Sequence, residues 1–315
     1  MEISQVETAA EVSASDFVVS DDRIEAVLAS HARASFDIAD PEWHPLEDRE
    51  ISKRRLGLRG WLRRMLRRGR NAREQVEVRS GYETHWKRTP TVEEYVAGLD
   101  DRVLAVRWRD RGMLLTPQGL RQTHLLYLMQ AIKVLRPRRV LEVGCGNGNI
   151  VLTLAARFPE IAFAGIELTA AGIAAAKAVQ AQPQLPESFI AASPEPLPDP
   201  TAHRNAELQT GNAGALPFAD SAFDLVYTRL ALEQMEQIRD QALSEVARVT
   251  GRAVVLIEPW RDFNMKDPGR AYVRRQGYFN ARARHLEKYG FRLVLVSEDM
   301  PQKVQFNAGP VIAIR

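Results

Sequence analysis

The chain has 315 residues, of which 45% are hydrophobic and 26% charged, so it is long enough to bury a full core and to carry a smaller second unit. Its single cysteine, Cys145, excludes an internal disulfide and a cysteine-built metal site, and no run reaches the roughly 18 uncharged apolar residues of a membrane span. The formal net charge of +3 is small, and the acidic start lacks the basic head of a signal peptide, which indicates a cytoplasmic protein.

Charge is unevenly distributed over the first part of the chain. Residues 1–50 are strongly acidic, and we expect a partly disordered acidic arm there. Residues 51–73 contain no acid, and on a helix Trp61 and Leu62 would lie opposite Arg63 and Arg64. A solvated linker is the plainest interpretation of this basic stretch. Binding to an anionic surface on the inner face of a membrane is the next, and nucleic-acid binding is the least favoured.

The next segments predict a helical extension and then the first elements of a larger unit. Aromatic residues between 82 and 115 complete a second unit, residues 51–115, which we expect to be helical and to cover the substrate side. Apolar residues at helical spacing predict a helix over 121–135.

A strand, a glycine turn, a helix and a second strand follow one another after residue 138. Residues 140–143 form a short Val-rich run that is typical of a parallel strand buried on both faces. Glycine then alternates with other residues, so the chain can turn tightly and a ligand can lie against bare backbone. The second strand, 161–166, ends at Glu167, where a carboxylate is placed to accept both hydroxyls of a ribose. The alternating glycines are Gly144, Gly146 and Gly148.

The spacing of these glycines distinguishes between two cofactors. The dinucleotide fingerprint G-x-G-x-x-G has its third glycine where this chain has Asn149. Glu142 precedes the turn, where it would repel a diphosphate and attract an ammonium group. This E-x-G-x-G-x-G arrangement resembles motif I of the class I S-adenosylmethionine-dependent methyltransferases. The resemblance implies S-adenosylmethionine as the cofactor, held by Glu142, Gly144, Cys145, Gly146, Gly148, Glu167 and Leu168.

A second block, beginning GNAGALPFADSAFDLVYT, is similar to the family's next motif. Asn212 stands before Ala213 at a position where the family usually has Asp, and its amide oxygen can still accept from the adenine amine. Thr228 would border the methyl donor. Glu233 and Gln234 occupy positions where family members often have a histidine pair. We expect Glu233 to act as a base or to position the acceptor, and a helix-surface carboxylate is the alternative.

The resemblance covers about residues 120–315 and implies a Rossmann-like α/β fold. Its doubly wound, mostly parallel seven-stranded sheet would end in a C-terminal antiparallel hairpin, after an N-terminal helical or partly disordered extension. This domain would occupy residues 116–315. The proline-rich stretch 182–205 predicts a loop. Further strands are expected at 206–210, 223–228, 253–257, 291–296 and 311–314.

The resemblance implies transfer of a methyl group from S-adenosylmethionine to a small-molecule, glycan or lipid-linked acceptor. A protein that binds S-adenosylmethionine without turnover, as a partner or regulatory subunit, is the alternative, and a nicotinamide oxidoreductase is least favoured. No metal is implied, and a base is required only if the acceptor must lose a proton. An anionic or glycosidic acceptor suits the arginines and aromatic residues after the fifth strand, among them Trp260, Arg261, Arg274, Tyr278 and Phe279.

Overall fold

The protein was analysed as a computed structural model that describes residues 12–52, 74–89 and 91–315. Most of the basic stretch, residues 53–73, lies outside the described residues. The strands are β1 (Ala32–Asp37), β2 (Leu104–Trp108), β3 (Arg111–Leu115), β4 (Arg139–Val143), β5 (Ala162–Glu167), β6 (Glu207–Thr210), β7 (Phe223–Arg229), β8 (Thr250–Glu258), β9 (Arg292–Val296), β10 (Gln302–Lys303) and β11 (Gly309–Ile314). The helices are α1 (Asp21–His31), α2 (Trp43–Ser52), α3 (Gln75–Arg88), α4 (Val92–Ala97), α5 (Pro117–Leu135), α6 (Val151–Arg157), α7 (Ala170–Gln180), α8 (Glu187–Ala191), α9 (Arg239–Val249) and α10 (Gly269–Gln276).

The larger sheet has seven strands in the spatial order β6–β5–β4–β7–β8–β11–β9. The first five are parallel neighbours, and β11 inserts antiparallel between β8 and β9. Alternate residues of the central strands face two different cores, since Val140 packs with one cluster and Leu141 with the other. Helices cover both faces, which explains why these strands are apolar throughout. The predicted Rossmann-like sheet with its terminal hairpin is confirmed.

The proline-rich stretch contains a short helix, α8, in addition to the predicted loop. Pro186 precedes this helix, where its fixed backbone angle is compatible with a helix start. Phe189 is fully buried, so the stretch packs on the domain.

A smaller antiparallel sheet, in the order β1–β3–β2–β10, contains most of the chain's N-terminal strands. A partly disordered acidic arm was predicted for residues 1–50, but residues 21–52 form α1, β1 and α2. The acids of this part pair with arginines of the β2–β3 hairpin, as Asp21 does with Arg109 and Glu25 with Arg111. Residues 104–115 likewise form a hairpin where a helical extension was expected. None of the helices in the described part of the chain is long and apolar enough to cross a bilayer.

Candidate functional site

A cavity of about 560 Å³ opens at the carboxyl ends of β4, β5 and β7. Ligands of open α/β sheets bind at this edge, where the order of the strands reverses. We call it the glycine-turn cavity, because the turn after β4 forms its floor. It is lined by several sequence-predicted residues, namely Glu142, Gly144, Cys145, Gly146, Glu167, Leu168, Asn212, Ala213 and Glu233.

The three glycines of the turn all have left-handed backbone angles, with φ of 81°, 55° and 77° at Gly144, Gly146 and Gly148. A Cβ on Gly146 would lie 2.8 Å from the Trp86 ring, so this position leaves no room for a side chain. Gly148 was predicted to hold the cofactor, but its surroundings are different. It does not line the cavity, and a Cβ there would lie 2.8 Å from Ala176 of α7. Gly148 therefore allows the turn to pack closely against α7.

Glu142 places a buried carboxyl group against the turn. The Tyr227 hydroxyl donates to its Oε2 at 3.0 Å, and only 3% of the residue is exposed. Burial raises the pKa of Glu142 to about 7, because the ionised form loses its hydration. A cation bound in the cavity would favour the ionised form. The neighbouring Cys145 thiol has its pKa raised by burial, so it is a neutral group of the turn.

Glu167 joins the end of β5 to the glycine turn. Its Oε2 accepts from the Gly146 N–H at 3.1 Å, and its Oε1 accepts from the Thr169 N–H and hydroxyl at 3.1 and 2.8 Å. Oε1 thereby uses both of its acceptor sites, whereas Oε2 retains one. The side chain is thus held in one orientation at the cavity wall and can still accept from a ligand.

Asn212 and Ala213 line the end of the cavity that lies beyond β6. The Asn212 Oδ1 accepts from the Gly214 N–H at 2.8 Å, which closes a local turn. This turn fixes the side chain at the cavity wall.

A half-buried basic side chain, that of Arg229, borders the opposite end of the cavity, and the sequence alone did not identify this arginine. The Arg229 Nε donates to the His124 Nδ1 at 2.8 Å. Burial, and then the charge of Arg229, lowers the pKa of His124, so its ring is neutral and carries its hydrogen on Nε2.

The guanidinium of Arg121, which is 1% exposed, lies behind this pair. It donates only to neutral oxygens, those of Asn149, Thr153 and Ala192. Burial lowers its pKa to about 9. Among the residues the structure describes, neither Arg121 nor Arg229 forms a direct ion pair, although the charges of Glu142, Glu233 and Glu258 act on Arg229. This end of the cavity therefore favours an anionic ligand group.

The turn after β7 brings Glu233 to the cavity and holds Glu258 beneath it. The Gln234 Nε2 donates to the Glu233 Oε1 at 2.9 Å. Glu258 is fully buried, and it accepts from the Thr228 hydroxyl and from the N–H groups of residues 231–233. Burial raises the pKa of Glu258 to about 8, and the nearby Glu233 adds to this effect. Glu258 therefore anchors the turn that presents Glu233.

Thr228 lies elsewhere than the sequence predicted. It is fully buried and does not line the cavity, whereas the next residues, Arg229 and Leu230, do. Successive strand residues point to opposite sides, so the side chain of Thr228 faces Glu258. Trp260 and Phe279 are also displaced from their predicted place on the acceptor side, because both are fully buried and pack edge to face in the core.

Helix α3 and Tyr95 cover the glycine-turn cavity. The Trp86 and Tyr95 rings both line it and lie 6.1 Å apart between centroids. Glu83 accepts from the Ala171 N–H at 3.2 Å, which fastens α3 to the start of α7. Aromatic side chains from the N-terminal part thus form one side of this cavity.

The comparisons with known proteins agree with this geometry. The family model described as a methyltransferase domain matches residues 141–257. Among solved structures, the 4+2 cyclase SpnF aligns with 78% of this chain and 97% of its own, at 17% identity and a TM-score of 0.53, which shows the fold alone. A methyltransferase from Methanosarcina mazei aligns with 56% of this chain and 92% of its own, at 20% identity and a TM-score of 0.38. No curated protein matches the chain.

The sheet order and the cavity at its reversal point define a Rossmann-like nucleotide-binding fold. Residues 141–257, which match the family model, form a class I S-adenosylmethionine-dependent methyltransferase domain. Its cofactor is S-adenosylmethionine, and the site fits this group: the cavity has the volume of a small-molecule site, a bare glycine turn and acids at its wall.

Proposed function

We propose that the protein methylates a small-molecule, glycan or lipid-linked acceptor at the glycine-turn cavity. The observation that carries this proposal is the placement of three kinds of group along one cavity. Glu142 and Glu167 lie beside the glycine turn, Asn212 lies at one end, and Arg229 lies at the other. Along the cavity, the amide complements the adenine base of S-adenosylmethionine, the acids complement its sugar and cationic parts, and the arginine complements its carboxylate.

Each of these residues then has a binding role. Glu167 accepts from a ribose hydroxyl through its Oε2, and Asn212 with Ala213 holds the adenine. Glu142 faces the cationic part, and Arg229, supported by His124, holds the carboxylate. Bound S-adenosylmethionine supplies a methyl group made electrophilic by the sulfonium.

The remaining residues orient the acceptor and exclude water. Trp86 and Tyr95 line one side of the cavity, where their rings exclude water from that part of the wall. Glu233 lines the cavity on a turn that Glu258 anchors. Its carboxylate is placed to hold the acceptor, and to take the proton if the acceptor is a hydroxyl. Methyl transfer requires such alignment more than it requires a strong base.

Calorimetric titration with S-adenosylmethionine, S-adenosylhomocysteine and NAD tests the cofactor half of the proposal. We expect both sulfur nucleosides to bind and NAD not to bind. Glu167→Ala should weaken S-adenosylhomocysteine binding by about tenfold or more, because it removes a charged acceptor for a ribose hydroxyl. Glu160→Ala is the matched control, since Glu160 is exposed before β5 at the opposite edge of the sheet. Equal affinity in both variants would contradict the assignment of Glu167.

Transfer of a labelled methyl group to fractions of a cell extract tests the catalytic half. Metabolite profiling of a deletion strain, for a species lighter by one methyl group, identifies the acceptor. Glu233→Gln should lower the turnover rate and leave S-adenosylhomocysteine affinity unchanged. Full cofactor binding with no transfer to any fraction would favour the alternative, a binding protein without turnover.

A further inference from the structure

A second cavity, of about 690 Å³, adjoins the glycine-turn cavity, and Tyr278 lines both. Four arginines of the described part of the chain line it, and we call it the arginine cavity. They are Arg261, Arg270, Arg274 and Arg282. It lies between the start of α3, the turn before α9 and the segment around α10.

The four arginines come from separate parts of the segment that follows β8. Arg261 begins a 3-10 turn directly after the strand, and Arg282 follows α10. Arg270 and Arg274 are one turn apart on α10, so their charges share one face of a helix of eight residues. Like charges at this spacing destabilise a helix unless an anion lies between them.

Few acidic side chains in the described part of the chain balance the charge of these guanidiniums. None of the four contacts a carboxylate among the described residues. Two acids, Glu74 and Glu236, also line the cavity. Glu236 is already engaged, because it accepts from Arg239 at 3.0 Å and from the Asn280 N–H at 2.9 Å. The cavity therefore has an excess of positive charge.

We propose that the arginine cavity binds a phosphate or diphosphate group of the methyl acceptor, with Tyr278 on the path to the cofactor. This inference rests on the proposed function, because it places the acceptor beside the same site. The planar guanidinium fork matches two phosphate oxygens at once. The volume is large enough for a diphosphate and part of the group attached to it.

The cofactor does not account for this charge. Its single carboxylate is assigned to Arg229, which lies in the other cavity and does not line this one. An acceptor that carries phosphate would use the arginines as an anchor and present its reactive group past Tyr278.

Titration of inorganic pyrophosphate into the full-length protein saturated with S-adenosylhomocysteine tests the proposal. Arg274→Gln should weaken pyrophosphate by about tenfold or more, because a charge-assisted contact is lost. Arg274→Lys should weaken it less, since the charge remains without the fork. Arg138→Gln is the control, because Arg138 is an exposed arginine just before β4, at the opposite edge of the sheet. Its affinity should equal that of the wild type.

Two results would overturn the proposal: no binding of millimolar pyrophosphate to the wild type, or equal binding to the wild type and Arg274→Gln. S-adenosylhomocysteine affinity is measured on the same samples. If the wild type does not bind S-adenosylhomocysteine, the proposed cofactor site is refuted. If Arg274→Gln binds it as tightly as the wild type does, the variant is folded.

Two further probes distinguish the source of the phosphate. If the wild type binds ADP in solution and Arg274→Gln binds it more weakly, the natural ligand is a soluble phosphate ester. If the wild type and Arg138→Gln bind phosphatidylglycerol vesicles equally and Arg274→Gln binds them more weakly, the phosphate belongs to a lipid headgroup.

Discussion

Replacing Glu142 with glutamine should remove a pH dependence from cofactor binding. The carboxyl of Glu142 has a pKa of about 7 through burial, and only its ionised form attracts a cation. From about pH 6 to about pH 8 its ionised fraction rises from about one tenth to about nine tenths. The apparent dissociation constant of S-adenosylmethionine should therefore fall about tenfold over this range in the wild type.

Calorimetry of S-adenosylmethionine binding at several pH values measures this slope. Glu142→Gln keeps the side chain's shape and can still accept from Tyr227, so the variant should bind with a flatter pH profile. Titration of the ligand's own amino group affects both proteins equally and cancels in the comparison. The same slope in the wild type and the variant would refute the role of Glu142.

The stability of the free protein provides an independent check on Glu142. The pKa of Glu142 in the folded protein lies above the ordinary value of 4.5. The stability that its carboxyl group contributes is therefore fully present below pH 4.5 and is lost as the pH rises through about 7. Glu142→Gln should therefore raise the free energy of unfolding relative to the wild type by up to about 3 kcal/mol at alkaline pH, and much less in acid. Urea denaturation at both pH values measures the difference.

Three further predictions concern the walls of the cavity. Gly146→Ala should lower the free energy of unfolding by more than the ~1–2 kcal/mol of left-handed strain, because its Cβ meets Trp86. Adding Trp86→Ala should recover the excess in a double-mutant cycle in urea, and strict additivity would contradict the contact. Arg121→Met should cost at least about 2 kcal/mol in the same assay, since buried oxygens lose their donor, and an unchanged midpoint would contradict this. Asn212→Asp should tighten S-adenosylhomocysteine a few-fold by calorimetry, if its oxygen accepts from the adenine amine. No change, or weaker binding, would place the adenine elsewhere.

Local patterns in the sequence predicted the sheet and one wall of the cavity. The order of strand, glycine turn and terminal acid depends on neighbours in the chain, so Glu142, Gly146 and Glu167 were identified without a structure. The two late strands were also predicted within two residues of β9 and β11. These elements are defined by short-range periodicity and by turn chemistry.

The basic end of the cavity depends on distant parts of the chain. His124 and Arg229 are 105 positions apart and meet only because α5 packs across the sheet near the end of β7. Charge runs in the sequence also do not identify their partners. The early acids pair with Arg109 and Arg111, which the charge pattern of the sequence did not indicate.

The pairing of β10 with β2 joins residues 302–303 to the hairpin near residue 107. A shortened gene that encodes only residues 116–315 would leave β10 without its neighbour and would uncover the apolar side of α5. It would also delete Trp86 and Tyr95, and with them one side of the glycine-turn cavity. The match to the family model covers only residues 141–257, which lie within this shortened chain. The unit to express and assay is nevertheless the whole polypeptide.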